Sequence, residues 1–273
     1  MPDWLAQHEP ALRLAIFALL FSTFAAWELL RPRRVLHDSK PQRWFANLGV
    51  FALDVAAVRV IFPLAAVGFA DVIQRYEMGL LQLLALPRWI EVLIAVLLLD
   101  LVIYWQHRLF HRVPVLWRLH KVHHADLDFD VTTAVRFHPL EILLSMLIKL
   151  LAVLLVGPPA LAILLFEVLL NGTALFNHAN IFVPPSVDRL LRLAVVTPDM
   201  HRVHHSSILA ETNSNFGFNL PWWDRIFASY RAQPQDGHTG MHIGLRDIPE
   251  RQTLLRLLLL PFRSRGQQPA EVA

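Results

Sequence analysis

Apolar residues run along this chain in long blocks. Five blocks, residues 14–30, 50–70, 90–105, 142–156 and 160–175, approach the roughly 20 residues a helix needs to cross a bilayer. The first is interrupted only by Ser22, Thr23 and Glu28; it is too long for a secretory signal and has no small-residue cleavage site. The second carries Asp54 and Arg59, and the third passes without a helix breaker into His107. Gly157-Pro158-Pro159 separates the last two and signals a turn. That pair either crosses twice or forms a hairpin that enters only part of the membrane. From Phe182 onward the chain reads as a cap of helices and loops, and its Gln- and Pro-containing end after Arg265 reads as disordered. The pattern predicts an all-α fold, a multi-pass membrane bundle with a cap. It divides into N-terminal membrane helices and their connections (1–89), a catalytic unit (90–232) and a C-terminal tail (233–273).

Composition agrees with a bilayer environment. Of 273 residues, 55% are hydrophobic, and the mean hydropathy of +0.43 exceeds what a globular chain needs. Cysteine is absent, which removes disulfides, thiolate-ligated haem and iron–sulfur clusters. Charge then orients the bundle. Arg31, Arg33, Arg34, Lys40 and Arg43 crowd the first connection, while the N-terminal segment offers Asp3, Glu9 and Arg13. The first connection is therefore expected in the cytoplasm and the N-terminus outside. With five crossings, the third and fifth blocks both end on the cytoplasmic side.

The histidines add the chemistry. They gather into His107-Arg108-Leu109-Phe110-His111, His120-Lys121-Val122-His123-His124 and His201-Arg202-Val203-His204-His205. Residues three and four apart share a helix face, so each word aims two or three imidazoles at one centre. Neutral imidazole is the commonest protein donor to transition metals, and these eight rings exceed the three or four that one zinc takes. Two metals are expected, at the end where the topology gathers all three words. Elsewhere on this face, His138 precedes a helix-starting proline and is a possible further ligand or supporting group. A lone histidine is more often structural than ligating, and it is the repetition that carries the metal reading. Nucleic-acid binding fits poorly, since the basic residues between the histidines are interleaved with Leu, Val and Phe.

Polar stripes lead toward the histidines. Asp100, Tyr104, His107 and His111 are spaced i, i+4, i+7, i+11. Asp100 is expected either to accept the free N–H of a ligand imidazole, to pair with a cation such as Arg59, or to make a helix-packing hydrogen bond. Glu167, Asn171 and His178 repeat the spacing, which makes His178 a ninth candidate ligand.

On these residues the chain resembles the fatty acid hydroxylase and sterol desaturase superfamily of membrane di-iron oxygenases. The resemblance rests on Tyr104-Trp105 with His107, Arg108 and His111; Leu116-Trp117 with His120; and Arg136 with His138-Pro139 and Glu141. It continues through Thr197-Pro198 with His201-Arg202 and His204-His205, Asn215-Phe216-Gly217, and Trp223-Asp224-Arg225. It implies a four-helix membrane core, two iron ions at its cytoplasmic end under the soluble part, and O2 as co-substrate. It also implies a separate electron donor, of cytochrome b5, ferredoxin or reductase type, and a lipid substrate such as a fatty acyl chain or sterol to be hydroxylated or desaturated. Some relatives carry a further histidine one turn before His178; here that position is Ala174, and water, Asn177 or His138 is left to complete the coordination. Phe216, Phe218, Trp222 and Trp223 are candidates for the wall of the lipid entry. Two other classes are weaker. A membrane zinc metallohydrolase would favour a His-Glu-x-x-His word, which is absent, and a metal transporter would spread its histidines along the spans.

Overall fold

The computed structural model describes residues 3–263, and its regular elements there are helical, apart from isolated β-bridges between Pro32 and Ile181 and between Ser206 and Ile243. Five long apolar stretches have the length and composition to cross a membrane. Helix α1 (Asp3–Leu30) begins eleven residues earlier than the apolar block suggests, with Pro10 inside it. The second block is not one helix: α2 (Lys40–Ile61) ends before Pro63, and α3 (Ala65–Arg75) starts anew. Proline supplies no N–H and pushes its predecessor out of the helical region. Helix α4 (Arg88–Arg112) is followed by α5 (Pro114–His124), with proline at the first position of α5. The pair α6 (Pro139–Val156) and α7 (Ala160–Asn177) consists of two full-length helices. Their turn is built on Gly157 at φ 65°, which lies so close to Gly79 (φ 101°) that a Cβ on either would strike the other segment's backbone.

Buried charge ties the bundle together. Glu167 on α7 receives Arg13 of α1 at 2.7 Å and Lys149 of α6 at 2.8 Å, so the acid of the second stripe is neutralised by cations from two neighbouring helices. Near the other end, Glu28 of α1 accepts the backbone N–H groups of Val131 and Asn180, both at 2.7 Å. Helix α1 thus runs in the direction of α7, toward the histidines, and α2–α3 returns.

The cap comprises α8 (Pro185–Leu191), α9 (Pro198–His204), α10 (Leu209–Thr212), α11 (Trp222–Ile226), α12 (Gly237–Gly240) and α13 (Leu254–Arg263). Helix α13 packs on α2 and α5, closing a small apolar cluster of Ala46, Val122, Ala125, Ile248, Leu257 and Leu260. The disorder expected beyond Arg265 concerns residues outside those described.

Candidate metal centre

Two sets of imidazoles meet where α4, α5, α7 and α9 converge. One consists of His107, His111, His120, His124 and His204, the other of His123, His178, His201 and His205. Within each set the ligand atoms all lie within 4.8 Å of one another. None of the nine residues is more than 3% exposed. His107 and His111 come from α4 one turn apart; His120, His123 and His124 come from α5; His178 ends α7; and His201, His204 and His205 come from α9. Thr197 caps α9, its hydroxyl accepting the Met200 N–H, and its own hydroxyl donates to Asp188 at 2.6 Å.

Backbone and side-chain acceptors fix the rings. The Nδ1 atoms of His107, His204, His178 and His123 donate to the carbonyls of Phe216 (2.8 Å), Ser214 (2.7 Å), Ala174 (2.8 Å) and Arg136 (3.2 Å). His120 Nδ1 faces the Glu141 carboxylate at 2.6 Å. A ring that donates through Nδ1 presents a bare lone pair at Nε2. Yet the Nε2 atoms of His107 and His120 face each other at 3.1 Å, as do those of His123 and His178. Lone pairs so placed repel unless a cation stands between them. Two donors on one ion, each about 2.1 Å from it, are expected at about this separation. Further buried Nε2 atoms, those of His111, His124, His204 and His205, have no partner. Both sets therefore fit a metal ion. Burial, and after it the neighbouring imidazoles, holds His123, His124, His204, His201 and His205 well below the ordinary histidine range. Burial takes His120 and His178 to about 3. All are neutral near pH 7, the form that ligates.

Several supporting groups lie inside the recognised motifs without being singled out by spacing. Asp224 accepts the N–H groups of Phe216 (2.8 Å) and Gly217 (2.9 Å) and the Ser229 hydroxyl (2.7 Å), shaping the loop whose carbonyls orient His107 and His204. Gly217 is needed there, because a Cβ would lie 2.8 Å from the Asp224 carboxylate and the Leu220 carbonyl. Asn215, at φ 53°, donates to the carbonyls of Met200 and Arg231. On the other side Arg43 binds Asp126 with two nitrogens (2.8 and 2.9 Å) and Asp130 with the third (2.8 Å), fixing the segment that ends in Arg136. Arg136 in turn donates to the Val122 carbonyl at 2.9 Å.

The remaining sequence candidates fall into different places. Asp100 accepts the Trp223 indole N–H at 2.8 Å, so it ties α4 to the cap, and Arg59 is exposed on α2. His138 stands outside both sets: it caps α6, its Nδ1 accepting the Leu140 N–H, with Nε2 3.2 Å from the Leu258 carbonyl. Asn177 donates to the Phe218 carbonyl at 3.1 Å. Phe216 packs its ring against His107, His111 and His204. Phe218 sits 5.0 Å from His107 and 6.0 Å from His201, centroid to centroid, touching both sets and the apolar core below. Trp222 is partly exposed and donates to the Leu193 carbonyl.

A family model described as fatty acid hydroxylase matches residues 92–229, half of the chain, and this segment contains all nine histidines. The chain belongs to the fatty acid hydroxylase family. Members similar to it include an ornithine lipid hydroxylase of Rhizobium tropici, 29% identical over 67% of this chain and 53% of that protein. Human alkylglycerol monooxygenase is 31% identical over 48% of this chain and 28% of its own length. A methylsterol monooxygenase of Arabidopsis thaliana is 29% identical over 56% and 58%. The chain thus spans about half the length of the first of these relatives and little over a quarter of the second. No solved structure matches it significantly.

Proposed function

We propose that this family member is a membrane di-iron monooxygenase that hydroxylates the hydrocarbon chain of a polar lipid. The observation that carries the reading is the pair of adjacent all-imidazole sets, sealed from water at one end of an apolar bundle. His107, His111, His120, His124 and His204 would hold one iron, and His123, His178, His201 and His205 the other. Iron supplies the capacity to reduce O2 and oxidise an unactivated C–H bond, which no side chain provides. Overall, one oxygen atom enters the C–H bond and the other leaves as water, consuming two electrons and two protons. The electrons come from a separate protein of cytochrome b5, ferredoxin or reductase type.

The chain's own residues orient and exclude. Carbonyls of Ser214, Phe216, Ala174 and Arg136 and the Glu141 carboxylate keep the rings in the ligating tautomer. Phe218 presents an apolar face where a lipid chain rising from the core reaches the rings of both sets. Hydroxylation is preferred over desaturation because the relatives named above are hydroxylases and monooxygenases. The basic residues of the α1–α2 connection favour a cytoplasmic metal end with the N-terminus outside.

Lipid profiling of cells expressing the wild type or His205→Ala under 18O2 tests this. The expected product is a membrane lipid that has gained a single labelled oxygen, found only with the wild type. Zinc-supported turnover without O2 consumption would overturn the oxygenase reading.

A further inference from the structure

The interruption between α2 and α3 has no part in the metal centre. Phe62, Pro63 and Leu64 are non-helical, and Ala65 is held at φ 48°, where a side chain is unfavourable. The break lies within the depth of the bundle. It faces Leu150, the twelfth of the eighteen residues of α6, about 16 Å by helix rise from the metal end of that helix at Pro139. At the break the Phe62 N–H donates to the Val58 carbonyl at 2.8 Å and the Ala65 N–H to the Phe62 carbonyl at 2.9 Å, and Pro63 has no N–H to satisfy, so the interruption does not need water to pair these donors. Beside it is a groove of about 170 Å³ lined by Ile61, Phe62, Pro63, Leu64, Phe69 and Leu150, together with Ala65.

The side chains lining the groove are all apolar and it opens from a membrane-spanning face, so bilayer lipid is the molecule that reaches it. Behind it lies the apolar core of the bundle. Phe69 and Leu150 belong to the same core as Ile103, Met146 and Phe218, and the Phe218 ring stands 5.0 Å from His107. We propose that the groove at the α2–α3 break is the lateral port that admits the alkyl chain of a bilayer lipid and leads it along α6 toward Phe218. This rests on the lipid-oxygenase reading for the destination of the chain, and on the groove itself for its binding.

The full chain would be placed in phosphatidylcholine nanodiscs containing a phosphatidylcholine with a diazirine midway along one acyl chain, then photolysed and mapped by peptide mass spectrometry. Labelling is expected to concentrate on residues 61–69 and Leu150, above that of the exposed lipid-facing Leu155 and Leu169. Leu150→Trp, which fills the groove, should abolish the excess, and Phe69→Ala, which widens it, should raise it. Gel filtration of each variant reports folding, and the opposite signs of the two variants separate occupancy from damage. Even labelling of all lipid-facing residues, an excess unmoved by both variants, or photo-crosslinked dimers joined through α3 would overturn the port. Lipid profiling of the same variants reads the destination. A wild type that oxidises no lipid defeats the oxygenase reading while leaving the labelling result standing; full turnover by a correctly folded Leu150→Trp defeats the port alone.

Discussion

The two imidazole sets use the same donor but are held by different scaffolds. In the four-membered set, the rings with fixed Nδ1 atoms lean on the carbonyl of Ala174, inside α7, and that of Arg136, in the segment clamped by Arg43. In the five-membered set they lean on Ser214 and Phe216, in a cap loop shaped by Asp224, and on Glu141. The first scaffold is largely membrane helix and buried ion pairs. The second depends on a non-helical loop closing correctly. Identical imidazoles can therefore differ in how far their arrangement survives damage elsewhere.

The strongest test of the comparison removes one ring from each set. His204→Ala and His205→Ala should both bring turnover to background, because no other donor can move in, while bound iron falls from about two toward one per chain in each. Metal analysis and turnover in one detergent check this; full iron content in either variant breaks the assignment.

Next is the scaffold of the five-membered set. Glu141→Ala should lower metal affinity or activity about 10- to 100-fold, with the loss confined to one equivalent under chelator titration. Simultaneous release of both equivalents would show that the two scaffolds act as one. Asp224→Ala strips the acceptor from two buried N–H groups, at about 1–3 kcal/mol each. It should lower the midpoint of thermal unfolding and loosen the same equivalent. Asp100→Asn, which touches the Trp223 indole and no imidazole, should produce a smaller decrease in turnover with both equivalents retained.

The smallest effect is expected at His242, which is exposed, so His242→Ala should stay within about 0.5 kcal/mol of wild type in stability. His238 differs. It is buried, 3.6 Å from Asp199, and burial takes its imidazole down to about 4. Its removal should lower thermal stability while leaving iron content intact.

These contrasts show what the residue order reveals. Short spacing within helices exposed His107 with His111, the two His-x-x-His-His words and, through the stripe from Glu167, His178. Their division into sets was not legible, since His123 and His124 are neighbours in sequence and belong to opposite sets. On α5 a one-residue step turns the side chain by about 100°, so adjacency in sequence separates rings in space. Asp100 shares the stripe of His107, but its partners come from the cap loop more than a hundred positions away. The acceptors at Ser214, Phe216, Ala174 and Arg136 are backbone carbonyls, which every residue owns and no side-chain pattern marks. Hydropathy over residues 50–70 reads as one span because it averages over Pro63, whose effect is conformational.

The near-complete enclosure of the nine rings sets a clock. With none more than 3% exposed, an ion held by these rings is expected to exchange only through local opening of the enclosing protein, and the non-helical segment carrying Ser214 and Phe216 is the wall whose opening we expect to set the rate. The half-life of bound metal in excess chelator then measures the frequency of that opening. It should shorten in Asp224→Ala far more than equilibrium affinity for the four-membered set declines.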